Sequence, residues 1–327
     1  MKSKKVLLTT PDYPPRLGGL STYTLCVESV LKEAGIEYDL LVWNHPRDLK
    51  RSAVDYDIVL NIHYMGGYFG QWDSRKNINF IHGSEILFYS PNPLKRMIKK
   101  MMKKDMLNYF HESFQNIFIS EFTLEKLSSL GLKTDYGRDI VFHNCIETNE
   151  AGFIDKDIQN EIIFSCIVRD VPHKNLDGVV SLLESAAKRT EKKIVLKTNS
   201  ARVQSETITI VPLENLSDSD RENVYKDSHF NILLSLDHSH RGFYEGFGLT
   251  CLESGKYGVP SIVSNTGGLP ENVHHKLNGI VVSDNFLEDL DYALKNYQSM
   301  RRWTFDHTHK SHSLNSFCRI LNLMGVK

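Results

Sequence analysis

Residues 241–271 read RGFYEGFGLTCLESGKYGVPSIVSNTGGLPE and decide the interpretation of the whole chain. Two carboxylates, Glu245 and Glu253, are separated by seven residues, and a Gly-Phe-Gly loop follows the first of them. If the chain is helical from about Leu249 onward, the two carboxylates lie roughly 12 Å apart along the axis. An ionised glutamate only accepts hydrogen bonds, and a sugar diol supplies two donors. The spacing therefore suits the ribose and the hexose of a nucleotide-linked sugar.

The order of these elements resembles the Glu-x7-Glu signature of the retaining glycosyltransferases of the family 4 type, which have the GT-B fold. In that family E-G-F-G-L is followed by a second glutamate, a G-x-P turn, a strand and G-G-x-P-E. All of them occur here in that order. The resemblance implies that Glu253 binds the ribose diol and that Glu245 positions the donor sugar. The loop residues that it places at the donor are Gly246, Phe247, Gly248 and Leu249.

The expected architecture is α/β, because short apolar strand candidates alternate with helical stretches along the whole chain. The resemblance implies two Rossmann-like, doubly wound domains with a deep interdomain cleft. A polar, acidic run near residues 145–160 predicts the boundary. We expect an acceptor-side domain over residues 1–155 and a nucleotide-sugar-binding domain over 156–304. A C-terminal helix within about 305–327, with Ser311–Met324 as its candidate, is expected to pack back on the first domain.

The pattern predicts particular strands and helices in each half. The predicted strands are Lys5–Thr9, Tyr38–Trp43, Ile58–Ile62, Ile78–Ile81, Ile117–Ser120, Ile140–His143, Ile162–Val168, Lys193–Lys197, Thr207–Val211, Phe230–Leu234 and Val259–Ser264. The predicted helices are Ser21–Glu33, Leu94–Phe114, Glu121–Leu130, Leu176–Thr190 and Ser217–Asp227. Gly35 and Gly131 act as helix stop signals.

The segment FSCIVRDVPHKNLDG places Arg169 and Lys174 after a strand and before a helix. A departing nucleoside diphosphate needs its developing charge neutralised. The segment resembles the family element G-R-x-x-x-x-K-N, in which the two cations grip the diphosphate. Val168 stands where the family has glycine, which leaves the local backbone path open. Because the cations take the place of a metal, we expect no cofactor and a metal-independent reaction.

Two further loops carry candidate residues. Gly18 and Gly19 follow the first strand and precede a helix, so that backbone amides there could face an anion. The pattern is not G-x-G-x-x-G, which removes the main support for nicotinamide binding. INFIHGSE resembles the family's H-G-x-E turn and makes His82 a candidate ligand of a sugar hydroxyl. His63, after the preceding strand, is a weaker candidate.

Composition excludes several classes of protein. The net charge of −1 gives no global basic field for nucleic acid. No apolar run approaches the roughly 20 residues that span a bilayer. Five scattered cysteines without C-x-x-C spacing favour a reducing, cytoplasmic location. The three histidines at 307, 309 and 312 have no acidic or cysteine partner that would complete a metal site.

Residues 94–110 form a basic, amphipathic helix candidate. Six Lys or Arg residues fall between 95 and 104, and five apolar residues share one face: Leu94, Met97, Ile98, Met101 and Met102. The helix could rest on the anionic inner face of the cytoplasmic membrane. It could equally be a packed helix with a solvated lysine face.

The sequence predicts a retaining hexosyltransferase that uses a UDP- or GDP-linked sugar and a glycan or lipid-linked acceptor. Assembly of bacterial surface polysaccharide or lipopolysaccharide is the expected role. Three alternatives stay open: a glycoside hydrolase, a nucleotide-sugar epimerase of the same fold, and a non-catalytic sugar-nucleotide-binding subunit. A hydrolase would need its two acids within about 5–10 Å of each other, which the estimated separation exceeds.

Overall fold

The computed structural model describes residues 4–15, 18–51, 56–148 and 151–323, which form two α/β units. The first unit comprises Met1–Glu147, Ser239–Phe247 and His312–Lys327. The second comprises Thr148–His238 and Gly248–Ser311. The loop that carries Glu245 therefore groups with the first unit, while Glu253 lies in the second.

The first unit is built on a six-stranded parallel sheet of order β2-β1-β3-β4-β5-β6. Its chain order reverses between β1 and β3, and Leu8 of β1 pairs with Leu40 and Leu60 on its two sides. The strands are β1 Val6–Thr10, β2 Tyr38–Val42, β3 Ile58–Asn61, β4 Asn77–Ile81, β5 Gln115–Phe118 and β6 Asp139–Val141. The helices are α1 Gly19–Glu33, α2 Met65–Gly70, α3 Pro93–Glu112 and α4 Glu121–Ser129.

A buried ladder of amides crosses one face of this sheet. Asn61 donates to Asn79 at 3.2 Å, and Asn79 donates to Asn116 at 3.0 Å. Asn116 in turn donates to the Asp139 carboxylate at 2.7 Å. Because buried polar groups without partners are costly, this ladder ties β3, β4, β5 and β6 together through side chains. The apolar strand pattern alone does not reveal it.

The second unit has a matching parallel sheet of order β12-β11-β10-β7-β8-β9. The chain order reverses between β7 and β10. The strands are β7 Glu161–Cys166, β8 Lys193–Thr198, β9 Thr209–Pro212, β10 Phe230–Leu233, β11 Ser261–Ser264 and β12 Gly279–Val282. The helices are α5 Leu176–Ala187, α6 Asp218–Asp227, α7 Leu249–Gly255, α8 Leu269–Asn272, α9 Phe286–Lys295 and α10 Tyr297–Ser311.

The C-terminal prediction needs a correction. Instead of one helix over Ser311–Met324, the described residues form two short helices, α11 Leu314–Phe317 and α12 Arg319–Leu323. Ser313 caps α11 by accepting from the Ser316 amide, which separates it from α10. Phe317 and Ile320 are fully buried in the core of the first unit. Met324 lies outside the described residues.

Helix α3 agrees with the predicted amphipathic helix but presents its apolar stripe outward. Met106 and Phe110 pack into the core of the first unit. Four of the five predicted face residues are exposed by 45–73%: Leu94, Met97, Ile98 and Met101. Met102 is half-buried and packs against the core. The helix therefore has two apolar faces, of which only one is covered.

Candidate functional site

In the second unit the predicted phosphate-binding cations follow β7, one of the two strands at the point where the sheet order reverses. Ligands of open α/β sheets bind outside the carboxyl ends of strands at such a point. Arg169 is exposed and, among the described residues, its guanidinium makes no hydrogen bond or ion pair. The neighbouring Asp170 instead pairs with Arg202 and accepts from Ser200 at 2.6 Å. The charge of Arg169 is therefore available to an anion.

Lys174 ends a short 3₁₀ turn, Pro172–Lys174, before helix α5. It lies close enough to β7 for its charge to act on the Cys166 thiol, whose pKa burial raises to about 12. Val168, which stands where the resembled family has glycine, is compatible with this backbone path, because its side chain is buried in the core. Its amide donates to Asn199 Oδ1 at 3.0 Å.

Glu253 lies on helix α7, which begins at Leu249 as the sequence predicts. Gly248 precedes the helix with a φ of 81°, a conformation that favours glycine. Glu253 is half-buried, and one of its oxygens, Oε2, accepts a hydrogen bond from the Tyr225 hydroxyl at 3.0 Å. Tyr225 is itself buried on α6 and was not found by sequence reasoning.

The second glycine turn, TGGLPE, holds the start of α7 in place. A Cβ at Gly248 would lie 2.5 Å from Leu269 Cδ2, so the turn packs directly on this glycine. Asn272 also donates to the Gly248 carbonyl at 3.2 Å. The turn therefore supports the loop between the two glutamates.

A cavity of about 500 Å³ opens beside these residues in the second unit. Its volume lies within the range of small-molecule sites, roughly 300–1,000 Å³. It is lined by Ile167, Asn199, Ala201, Leu213, Glu214, Asn215, Leu216 and Arg221. Ile167, two residues before Arg169, belongs to the same apolar cluster as Tyr225. The cavity, Glu253 and Arg169 are thus connected through packed neighbours.

In the first unit His82 follows β4 and is held in one tautomer. Its Nε2 donates to the carbonyl oxygen of Ile62 at 2.8 Å, which leaves Nδ1 as an acceptor. The Tyr23 ring packs edge-on against the imidazole at a centroid distance of 4.6 Å. Burial lowers the pKa of His82 to about 3, so the ring is neutral near pH 7. His63 also has a pKa lowered by burial, to about 4, and its ring stacks on Tyr64.

The H-G-S-E turn is closed by its own glutamate. The Glu85 carboxylate accepts a hydrogen bond from the His82 amide. Burial raises the pKa of Glu85 above its usual value, while hydrogen bonds from backbone amides oppose that shift. Glu85 is therefore a structural part of the His82 turn that the sequence motif does not by itself explain.

The loop that carries Glu245 packs on this same turn. A Cβ at Gly246 would lie 2.2 Å from the His82 carbonyl oxygen, and a Cβ at Gly83 would lie 3.3 Å from Gly246 Cα. Phe247 is buried beside the His143 ring at a centroid distance of 4.9 Å. Glu245 is half-buried. The contact between Gly246 and the His82 backbone therefore brings the Glu245 loop next to His82.

Gly18 and Gly19 are exposed at the start of α1, where Gly18 is the residue that precedes the helix. The Gly18 amide donates to Ser21 Oγ at 3.1 Å. A Cβ at Gly18 would lie 3.1 Å from the Asp12 carboxylate, so an acid stands next to this helix start. Residues 16 and 17 lie outside the described residues.

Within the described part of the chain, no cluster of three or more His, Cys, Asp or Glu residues could hold a metal ion. The three histidines near the C-terminus have structural contacts instead. His307 stacks on Trp303, His309 contacts the carbonyl oxygens of Phe305 and Ala151, and His312 contacts that of Asn144. None of the described helices combines the length and apolarity needed to span a membrane.

Residues 150–305 match the model of the family described as glycosyl transferases group 1. A curated relative from Corynebacterium glutamicum is 23% identical over 347 residues, which cover 89% of this chain and 88% of the relative. It is a GDP-mannose-dependent monoacylated alpha-(1-6)-phosphatidylinositol monomannoside mannosyltransferase.

Solved structures of similar fold cover nearly all of the chain. A sucrose-phosphate synthase from Thermosynechococcus elongatus aligns with a TM-score of 0.73 at 12% identity, covering 98% of each chain. A glycosyltransferase from Rickettsia africae gives 0.67 at 17% identity, covering 100% of this chain and 99% of its own. The Anabaena protein HepE, solved with UDP-glucose, gives 0.63 at 12% identity over 98% of each chain. The predicted α/β fold with two doubly wound parallel sheets, of GT-B type, is confirmed.

Proposed function

We propose that the chain transfers a hexose from a nucleoside-diphosphate sugar with retention of anomeric configuration, because residues 150–305 match the family model of the group 1 glycosyltransferases. It is a hexosyltransferase that acts on a sugar-nucleotide donor. The family 4 subtype, the retaining course and the acceptor are parts of the proposal.

The observation that carries the proposal is the set of groups that the second unit supplies. The 500 Å³ cavity suits the base of the nucleotide, and Glu253, whose partner Tyr225 packs with the cavity residue Ile167, suits the ribose diol. Arg169 and Lys174 supply two positive charges after β7. A nucleoside diphosphate needs partners for these three parts: its base, its diol and its two phosphates. The guanidinium of Arg169, which has no partner in the described part of the chain, matches the phosphates in charge and geometry.

The first unit supplies groups for the reacting sugar. The unprotonated Nδ1 of His82 can accept a hydrogen bond from a sugar hydroxyl, and it stays an acceptor near pH 7. Glu245 is set beside the His82 turn by the Gly246 contact. We assign Glu245 and His82 to positioning of the hexose, and Glu253 to the ribose of the donor.

Retention is proposed to follow a front-face course. The bond between the anomeric carbon and the diphosphate oxygen breaks while the acceptor oxygen forms a new bond to that carbon on the same face. The released phosphate oxygen takes the acceptor proton. Arg169 and Lys174 stabilise the charge that develops on the leaving diphosphate. With these cations in place, we propose that the reaction needs no metal.

The acceptor is proposed to be lipid-linked. Helix α3 exposes the stripe Leu94, Met97, Ile98 and Met101, and the exposed Lys95, Lys100 and Lys104 flank it. A helix with an apolar stripe between basic side chains suits the interface of an anionic membrane. The C. glutamicum relative acts on a phosphatidylinositol-linked mannoside, which supports the same acceptor class. We place the reaction at the cytoplasmic face of such a membrane, in the assembly of surface polysaccharide or lipopolysaccharide.

The test is incubation of the purified protein with radiolabelled UDP- and GDP-sugars, with and without lipid-linked acceptors. Transfer, or slow hydrolysis of one donor without acceptor, is the expected result. Glu245→Ala is expected to lower transfer more than it lowers donor affinity. Donor binding without turnover in any acceptor mixture would favour the non-catalytic subunit. Interconversion of the free sugar nucleotides would favour the epimerase.

A further inference from the structure

The Tyr225 hydroxyl and the Glu253 carboxylate form a hydrogen bond of 3.0 Å between helices α6 and α7. Tyr225 is only 1% exposed, whereas Glu253 is half-buried. A buried hydroxyl is costly without a partner, so the contact holds the carboxylate in one orientation. Among the described residues, Tyr225 is the one hydrogen-bond partner of the Glu253 carboxylate, and Oε1 stays available.

The surroundings of Tyr225 keep its hydroxyl protonated and fixed. Burial, reinforced by the nearby Glu253 carboxylate, raises the pKa of Tyr225 well above its usual value. Its ring packs in a cluster with Ile167, Val224, Tyr257 and Val259. The hydroxyl can therefore only donate to the carboxylate, and it cannot turn away toward solvent.

Two neighbours of the same tyrosine line the cavity assigned to the base. Arg221 lies one helical turn before Tyr225 on α6, lines that cavity and acts electrostatically on the tyrosine. Ile167 lines the cavity as well and packs in the Tyr225 cluster. A nucleotide in this cavity would thus contact residues that neighbour Tyr225, and Tyr225 sets the orientation of the Glu253 carboxylate before binding.

We propose that Tyr225 is a positioning residue for recognition of the donor ribose. By occupying one lone pair of Oε2, it directs Oε1 and the remaining lone pair of Oε2 toward the 2′- and 3′-hydroxyls. Pre-orientation reduces the side-chain ordering that binding would otherwise require. This inference rests on the proposed function, and in particular on the assignment of Glu253 to the ribose.

The test compares dissociation constants for UDP and GDP with those for their 2′-deoxy counterparts, measured by calorimetry. For whichever nucleotide binds, the wild type is expected to prefer the ribose form by about tenfold or more. That factor corresponds to the loss of one to two charge-assisted hydrogen bonds in the deoxy form. Tyr225→Phe is expected to reduce this preference at least threefold, because it weakens the ribose form more than the deoxy form, which keeps only the 3′-hydroxyl contact. Glu253→Ala should abolish the preference.

The matched control is Tyr257→Phe. Tyr257 is a buried tyrosine of the same cluster, and its hydroxyl interacts with Glu222 instead of Glu253. It should keep the wild-type preference for ribose, which separates positioning from loss of a buried hydroxyl.

The possible outcomes separate the positioning role of Tyr225 from the proposed function on which it depends. If Glu253→Ala abolishes the preference and Tyr225→Phe keeps it, the positioning role is wrong while the ribose assignment stands. Equal weakening of both nucleotides by Tyr225→Phe would also overturn the positioning role. A Glu253→Ala protein with an unchanged preference would refute the ribose assignment. Absence of binding by both UDP and GDP would overturn the proposed function itself.

Discussion

Gly246 lies against the backbone of His82 so closely that a Cβ at position 246 would stand 2.2 Å from the His82 carbonyl oxygen. This contact joins the loop that carries Glu245 to the turn that carries His82, the candidate ligand of the sugar. It explains physically why the position between Glu245 and Phe247 is glycine. Both partners are backbone atoms, so no rotamer change can relieve an added methyl group.

Gly246→Ala is therefore expected to displace the Glu245 loop and to lower the transfer rate at least tenfold, since overpacking typically costs about 1–3 kcal/mol. Affinity for UDP or GDP should change little, because Arg169 and Glu253 lie in the second unit. Steady-state rates and calorimetry measure the two quantities. Gly152→Ala is the control, as a Cβ there meets nothing within 4 Å. Wild-type transfer by Gly246→Ala would contradict the role of this contact.

The double variant Arg169→Ala, Lys174→Ala is expected to lose measurable transfer. Arg169→Ala alone should lower kcat by about 10²–10³, the usual effect of removing one stabilising donor from a developing charge. Arg189→Ala is the control in the same unit, since its ion pair with Glu288 is at the surface. Near-normal rates in the double variant would rule out the phosphate assignment.

Two sets of variants test whether helix α3 binds anionic vesicles, one through its charge and one through its apolar stripe. Replacing Lys95, Lys100 and Lys104 by glutamine should weaken binding to anionic vesicles on the order of 100-fold, at about 1 kcal/mol per basic residue. Met97→Ser with Met101→Ser should weaken it as well, through loss of apolar burial. Sedimentation with anionic and neutral vesicles measures both effects.

The control for the charge variant removes three exposed lysines elsewhere: Lys133, Lys188 and Lys295. It should sediment with anionic vesicles nearly as the wild type does. Equal loss in both triple variants would show a general charge effect, and no loss in the α3 variants would end the membrane proposal.

Three histidines with lowered pKa values predict an acid-sensitive fold. Burial lowers the pKa of His82 to about 3 and those of His63 and His229 to about 4. Between these values and about 6.5 the unfolded chain binds protons that the folded chain does not. Their contribution to stability is full above about pH 6.5 and falls as the pH drops toward 4, by up to about 1.4 kcal/mol per pH unit for each histidine.

Urea unfolding between pH 4.5 and 7.5 measures that dependence. Below pH 6.5, His82→Gln should lower the slope of the unfolding free energy against pH by up to about 1.4 kcal/mol per pH unit, which corresponds to one bound proton. An unchanged slope in His82→Gln would mean that the imidazole is protonated in the folded state.

Arg301 is expected to be the most costly cation to remove. It is fully buried on α10 and donates to the carbonyl oxygens of Gly258, Lys156 and Ile154. Arg301→Met leaves those acceptors unpaired, at a cost of about 3 kcal/mol or more. Urea unfolding checks this, with the exposed Arg302→Met as the adjacent control, expected within about 0.5 kcal/mol of wild type. Equal stability of the two variants would contradict it.

Local sequence patterns predicted much of the fold. Each predicted strand overlaps an observed one, because buried parallel strands are short apolar runs between turn residues. The start of α7 at Leu249 agrees with the helix that the sequence analysis assumed from about that residue. The C-terminal helix was wrong because Ser313 caps a new helix, and the apolar period alone does not register such a break.

The parts that sequence could not predict depend on contacts between distant residues. The outward stripe of α3 was ambiguous because the helix has apolar residues on two faces, and periodicity does not tell which face is covered. Tyr225 meets Glu253 across 28 positions, and no motif marks that pair. The Gly246 contact with His82 likewise joins loops 164 positions apart.

The amide ladder of the first sheet restricts how this sequence can change over time. Asn61, Asn79 and Asn116 each satisfy a neighbour, so an apolar replacement at one position leaves orphaned groups at the next. Replacements there should be tolerated mainly in combination, each making the following one acceptable. The ladder would then diversify as a unit, through rare joint substitutions, while the apolar strand positions around it drift one at a time.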